Sequence, residues 1–298
     1  MLPAPSGWAR SHSVHFRDQP AIRVAANLVE VRVRVGCEFV ERANTAVHAV
    51  LQVEPRLDGR FALLDEHWDN EPPAATSRYV DGFGNFCRRV NVPAGESVLR
   101  YSAVVELAGE PDPVSRYARE LSPSELPDDT LAFTLPSRLC PSDELGTEAW
   151  DLFGNVTPGW QRVQAICDWV HEQITFGYGT STSVSTAKDV LVARQGVCRD
   201  FAHLAVTFCR ALNIPARYTF GYLPDIGVVP PEDPMDFCAW MEVSLDGAWW
   251  TFDPRNNEPR VGRVLIGRGR DALDVAMVTT YGAVELLSMN VWADEVVS

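Results

Sequence analysis

Between Val29 and Val35 the chain reads VEVRVRV, an alternation that puts Val29, Val31, Val33 and Val35 on one face and Glu30, Arg32 and Arg34 on the other. Side chains switch faces at every residue of a pleated strand, so the pattern demands a strand with one buried and one wetted face. A second alternation runs through Val47, Ala49, Leu51 and Val53. Arg78-Tyr79-Val80 and the stretch 86–92 then flank Asp81-Gly82-Phe83-Gly84-Asn85, a glycine-bearing turn of hairpin length. Pro93-Ala94-Gly95 turns the chain again into a strand over 98–107. Short strands at this spacing predict an antiparallel, β-rich, sandwich-like domain over residues 1–115. It holds no cluster of reactive side chains, and its expected role is to support or cover the second domain.

Pro111, Pro113, Pro123, Pro127, Pro136 and Pro141 punctuate the next stretch, which reads as a linker over 116–150. The period then changes. Thr157 stands as an N-cap before Pro158, and Trp160, Val163, Cys167, Val170 and Ile174 recur at helical spacing. Thr186 caps a short helix through Ala193, stopped near Gly196. A third helix is expected from Cys198 to about Leu212, with Phe201, Leu204, Ala205, Phe208 and Leu212 on its apolar side, ended by Asn213-Ile214-Pro215. Strands return over 217–222, 239–245 and 249–253, the last two joined by Asp246-Gly247. Helices followed by antiparallel strands make 151–298 an α+β domain.

Among the 298 residues, 26 Lys and Arg face 40 Asp and Glu, for a net charge of −14. Such a surface repels nucleic-acid phosphates and anionic lipid, so no nucleic acid and no membrane is expected as a partner. The start, MLPAPSGWARSHSVHF, has no apolar leader core, and no run of apolar residues is long enough to span a bilayer. The seven cysteines are scattered without a CxxC pair, which fits reduced thiols in the cytoplasm rather than a zinc ribbon or a disulfide framework.

The chemistry concentrates in Gly196-Val197-Cys198-Arg199-Asp200-Phe201-Ala202. A cysteine at a helix start is commonly a packed core residue. Directly after a glycine turn, however, it meets unpaired backbone N–H groups and the positive end of the helix dipole. Both favour thiolate, so Cys198 is expected to be more acidic than an ordinary thiol at about 8.5. The same N–H groups are placed to hold a tetrahedral oxyanion.

GVCRDFAHLAVTFCRALNIPARYTFGYLP, followed by DFCAWMEVSLDGAWWTFDPRNN, resembles the core of the transglutaminase-like superfamily of thiol enzymes. The likeness runs from about Pro158 to Tyr281, and the Tyr79–Asn85 segment is similar to the β domain that precedes the core in bacterial members. Gly269-Arg270-Asp271-Ala272-Leu273-Asp274-Val275 is similar to the stretch that closes the catalytic domain. The resemblance implies a papain-like α+β domain with Cys, His and Asp in that chain order. It places the nucleophile on Cys198 and the acidic member on Asp253. The family's His position, immediately before Ala239-Trp240, is here Cys238. None of His12, His15, His48, His67, His171 and His203 falls at that position. His203 lies five residues beyond Cys198, about 140° around the helix, and reads as a satisfied helix residue.

A thiol at Cys238 carries no positive charge, so it forms no ion pair with Cys198. The helix terminus is then expected to keep Cys198 acidic unaided, with the Asp253 charge working against it. Four readings are open. In the first, an altered Cys198–Cys238–Asp253 triad, with Asp253 orienting or polarising Cys238, transfers an acyl group from a peptide, amide or thioester donor to water or an amine. Activated donors such as thioesters and esters need the least help from Cys238, which would relay a proton. In the second, the cleft is a silent scaffold that binds a peptide or protein. In the third, Cys198 and Cys238 form a reversible disulfide. In the fourth, two thiolates and Asp253 hold a metal, and the all-anionic set of three ligands ranks it last. No cofactor is implied. Trp249, Trp250 and Phe252 are expected to pack, while Trp240 is placed to wall the acyl pocket. Arg255, Asn256 and Asn257 form a polar turn that reads equally as a device fixing Asp253 or as a solvated loop.

Overall fold

The computed structural model describes residues 30–58 and 60–296; Val29, His12 and His15 lie outside them. The alternating segment is β1 (Glu30–Ala43), followed by β2 (Val47–Leu51), β3 (Phe61–Glu71), β4 (Thr76–Val80), β5 (Phe86–Val92) and β6 (Gly95–Ala108). A 3-10 turn (Asp128–Thr134) leads to α1 (Gly146–Phe153), α2 (Trp160–Gln173), β7 (Thr175–Phe176), α3 (Ala187–Ala193), β8 (Gln195–Gly196) and α4 (Cys198–Ala211). Then come β9 (Ala216–Tyr222), β10 (Cys238–Leu245), β11 (Ala248–Phe252), β12 (Val264–Gly269), β13 (Val278–Thr280) and β14 (Val284–Glu295). The fold is α+β. No described helix is long and apolar enough to cross a membrane.

Twelve of the strands form three four-stranded antiparallel sheets, ordered β14-β1-β6-β3, β13-β2-β5-β4 and β11-β10-β9-β12, and β7 and β8 form a short parallel pair. The valines of β1 do what their alternation requires. Val31, Val33 and Val35 are buried, and Cys37 and Phe39 continue the same face against Tyr101 and Leu99 of β6. This face meets Val47, Ala49 and Leu51 of β2, and the same core takes in Tyr218, Phe220 and Tyr222 of β9 and Val264 and Ile266 of β12. Ala216, Met241, Val243, Leu245 and Phe252 instead join α1, α2, α3 and α4 in a second core. The third sheet is therefore held between sandwich and helices, which is why every residue of β9 is buried.

Three boundaries differ from the sequence expectation. The chain's last strands do not belong with the α+β unit: β13 pairs with β2, and β14 pairs with β1 along nearly its whole length. Residues 278–295 thus complete the sandwich, so the second unit does not run through 298. The proline-rich stretch 116–150 is not a free linker, since Ala118, Leu126, Phe133, Leu139, Cys140 and Leu145 are buried. Arg119 bonds Asp246, Glu120 holds Arg162 and the Gly159 N–H, and the Leu139 N–H donates to Asp271. Finally, α2 starts at Trp160 rather than after Thr157. Its N-terminal amides are met by the neighbouring stretch: Gly159 N–H by Glu120 and Trp160 N–H by the Ala118 carbonyl. The Thr186 cap stands as expected, in a capping box with Asp189 worth about 1 kcal/mol.

The turn between β4 and β5 ties the two units together. Asn85 is fully buried, and its side chain bonds both the N–H (2.9 Å) and the carbonyl (2.9 Å) of Arg268 on β12. Tyr222 donates to the Val53 carbonyl at 2.9 Å, and Phe39 stacks on Phe237 at 6.5 Å between ring centroids. A chain ending after Thr280 leaves β1 an unpaired edge and removes Val291 and Ala293 from the core. Its melting midpoint should fall by about 5 °C or more in a single transition; an unchanged midpoint would mean that the returning strand adds no stability.

Candidate active site

Cys198 is the first residue of α4, and three neighbours set the turn that places it. Gly196 has no β-carbon, and one added there would lie 2.7 Å from the Asp200 Cβ. Asp200 is fully buried, accepts from the Val197 N–H at 2.8 Å and from the Ser181 hydroxyl, and pairs with Arg199 at 2.8 Å. Asp200 thus closes the helix start that Val197 has no side-chain oxygen to cap. The first amides of a helix lack intrahelical acceptors, and Cys198 opens α4 among them.

Of the seven cysteines, only Cys198 and Cys238 are not buried. Both line a cleft of about 370 Å³ walled by Tyr178, Tyr218, Phe220, Met235 and Val275, with Asp236 beside the two thiols. The segment 236–239 wraps the nucleophile. The Cys198 thiol donates to the Phe237 carbonyl at 3.7 Å, and Asp236 accepts from the Phe237 N–H at 2.7 Å. The Cys198 and Cys238 thiols are close enough for their ionisations to interact, and the Ala239 backbone adds to the field at Cys198.

These contacts separate the two thiols. Cys198 is pushed below the ordinary thiol range, first by the Cys238 hydrogen bond; burial and Asp236 oppose this, while the Ala239 N–H and the Arg255 charge assist. Cys238 is pushed well above that range by donating to Cys198, by burial and by the Asp253 charge. The neighbouring Cys238 thiol therefore favours ionisation of Cys198, so the helix terminus does not act unaided. It is also a poorer proton relay than an ordinary thiol. Cys37 is raised to about 12 and Cys140 to about 11, both chiefly by burial.

Asp253 lies at the end of β11, as expected, but it does not hydrogen-bond Cys238. One carboxylate oxygen accepts from the Arg255 N–H (3.1 Å) and the Asn256 N–H (2.9 Å). The other accepts from the Asn256 amide (2.7 Å) and Arg263 (2.8 Å). Burial opposes its ionisation, but the Arg263 charge and the Asn256 bonds outweigh it and keep the carboxyl below its usual range. Asp253 thus acts on Cys238 through its charge, with no bond to orient it. Of the two readings of this turn, Asn256 takes the fixing role.

Arg263 was not legible as a site residue. It bridges Asp253 and Asp112, the latter at 2.7 Å, and lies 4.9 Å from the centre of the Trp240 ring. Trp240 is buried beneath it and does not wall the cleft, contrary to expectation. Trp249 packs on Arg217 and Phe133, and Trp250 on Trp160, as their strand positions imply. Among the described residues no histidine lines the cleft. His203 accepts from the Ala272 N–H at 3.1 Å and packs on Tyr218, but its Nδ1 has no partner, so it is only half satisfied. Burial drives its pKa down to about 3, which removes it as a base at neutral pH. Asp236 was also missed. It stands two residues before Cys238, and folding brings it close enough for its charge to act on Cys198.

Residues 149–254 match the family model of the transglutaminase-like superfamily, a span that includes Cys198, Cys238 and Asp253. A protein of Cytophaga hutchinsonii, provisionally described as a cysteine protease, has a crystal structure similar to this one at a TM-score of 0.82. It is 29% identical, over 91% of this chain and 92% of that one. An uncharacterised protein of Mycobacterium leprae is 28% identical over 243 residues, 79% of this chain and 86% of its own. Another from Mycobacterium tuberculosis is 29% identical over 224 residues, covering 68% of this chain and 71% of that one.

The site yields two expectations. Limiting iodoacetamide at mildly acidic to neutral pH should alkylate Cys198 before the other six thiols. Its rate–pH midpoint should move up in Cys238→Ala, which loses the donor, and down in Asp236→Asn, which loses the opposing charge. Equal labelling of all seven thiols would contradict the assignment. Arg263→Met should cost about 3–5 kcal/mol in chemical unfolding, because Asp112 and Asp253 keep charges that nothing else neutralises. Adding Asp253→Asn should recover part of that loss.

Proposed function

We propose that this chain, a member of the transglutaminase-like superfamily, is a thiol-dependent acyl-transfer enzyme whose Cys198 forms the acyl-enzyme. The observation that carries the reading is the asymmetry of its cysteines. One half-buried thiol at a helix start is pushed toward thiolate, in the cleft and against a thiol donor. In this reading the Cys198 thiolate attacks the donor's carbonyl carbon. The amides that open α4 hold the oxyanion, and the tetrahedral intermediate collapses with loss of the leaving group.

The missing imidazole decides which donors suffice. An amide leaves only as a protonated amine, and Cys238, held well above the usual thiol range, is a weak acid for that step. A thioester leaves as a thiolate and needs no such proton. The preferred donors are therefore thioesters or activated esters, with water or an amine completing hydrolysis or transamidation. Asp236 lines the cleft, and burial raises its carboxyl, making it a stronger base than an ordinary aspartate. It is the group available to take the acceptor's proton. Seven free thiols fit a reducing compartment, and we place the chain in the cytoplasm.

One observation favours a second reading. Asp253 is committed to Arg263 and Asn256, as in a cleft that binds a peptide or protein without turning it over. A short acyl thioester and the matching amide separate the two. The native chain should acylate Cys198, found by peptide mapping, and turn over the thioester but not the amide; Cys198→Ala should do neither. Cys238→His should gain amide turnover, on the scale of about 10²–10⁴ that general acid–base catalysis supplies. If the His variant alone turns over either substrate, the native cleft is a binding site.

A further inference from the structure

Acyl transfer leaves the Cys238 sulfur without covalent work. It makes a weak hydrogen bond to the Ala239 carbonyl at 3.8 Å, and Asp253, the group expected to hold it, bonds elsewhere. Five cysteines are buried apart from the cleft, whereas Cys198 and Cys238 share its lining. Each opens an element, Cys198 at the start of α4 and Cys238 at the start of β10, and the Cys198 sulfur lies 3.7 Å from the carbonyl oxygen of Phe237, the residue next to Cys238.

We infer that Cys198 and Cys238 form a dithiol–disulfide couple that reduces small disulfides entering the cleft. The Cys198 thiolate attacks one sulfur of R–S–S–R, forming a Cys198–S–S–R mixed disulfide and expelling RS⁻, a base. Cys238 then loses its proton to that base or to solvent and attacks the Cys198 sulfur. The Cys198–Cys238 disulfide forms and a second RS⁻ leaves. Protein dithiol plus disulfide becomes protein disulfide plus two thiols, with two electrons passing from protein to substrate. A low-molecular-weight thiol restores the dithiol.

The polarisation of the pair suits these roles. The attacking sulfur opens a helix, where thiolate is favoured, and the resolving sulfur is pushed toward its protonated form while Cys198 carries charge beside it. The couple requires Cys198 to be ionised but does not require acyl transfer. Closing it takes the nucleophile out of the acyl reaction, so oxidation would also switch that activity off.

The test uses the reduced full-length chain and hydroxyethyl disulfide, a small uncharged probe, in the absence of oxygen. The native protein should lose two hydrogen masses and give a Cys198–Cys238 crosslinked peptide that dithiothreitol reverses. Cys238→Ser should stop at a mercaptoethanol adduct on Cys198, and Cys198→Ser should form neither product. A native chain that accumulates the same stable adduct as Cys238→Ser would overturn the proposal, as would failure of Cys198 to react. Thioester acylation of Cys198 in the native chain, measured in parallel, separates the outcomes: it persists if only the couple fails and is absent if Cys198 is not a nucleophile.

Discussion

The placement of the first turn of α4 against the first residues of β10 governs the candidate site. From Asp200 to Arg210 every residue of α4 is buried, so the helix cannot shift without disturbing both cores. The pairing of β10 with β9, Cys238 opposite Gly221 and Ala239 opposite Phe220, fixes where the segment 236–239 meets that helix. The sandwich clamps the segment from behind, with Phe39 of β1 stacked on Phe237. A carbonyl, a thiol and an N–H from three successive residues then converge on one sulfur.

Charge compensation beneath the site is handled by arginine. Arg263 stands between Asp253 and Asp112, and Glu242, two strand positions beyond Trp240, is held by Arg217, Arg268 and Arg60. Buried carboxylates need such partners, because an isolated charge in the interior is far costlier than a paired one. The consequence for chemistry is specific. A carboxylate that would polarise an imidazole is here neutralised by a guanidinium, so Cys238 feels a fixed charge without a hydrogen bond. Asp253 is thus part of the support beneath the cleft, tied to Arg263 and Asn256.

Much of this was legible from short-range patterns. The valines of β1, the Thr186 cap, the Gly196–Cys198 turn and the hairpin at Asp246-Gly247 are local signals, and the structure keeps them. The residues that were not legible lack any local signature. β3 and β14 are sheet edges rich in charged and polar residues, without the clean alternation of a half-buried strand, and β14 finds β1 only through the folded core. Arg263 sits in an irregular stretch ten residues beyond Asp253, and only three-dimensional placement makes it the carboxylate's partner. The same holds for the buried prolyl stretch, whose composition reads as a spacer while its leucines and Phe133 complete the helical core's surroundings.

The central claim is that Cys198 is stabilised as a thiolate without an imidazole. Ultraviolet thiolate absorbance across a pH titration measures this directly, with Cys198→Ala as the subtraction. The account predicts that Cys198 ionises below the ordinary thiol value of about 8.5, in a step absent from the variant. A step at or above that value would contradict it.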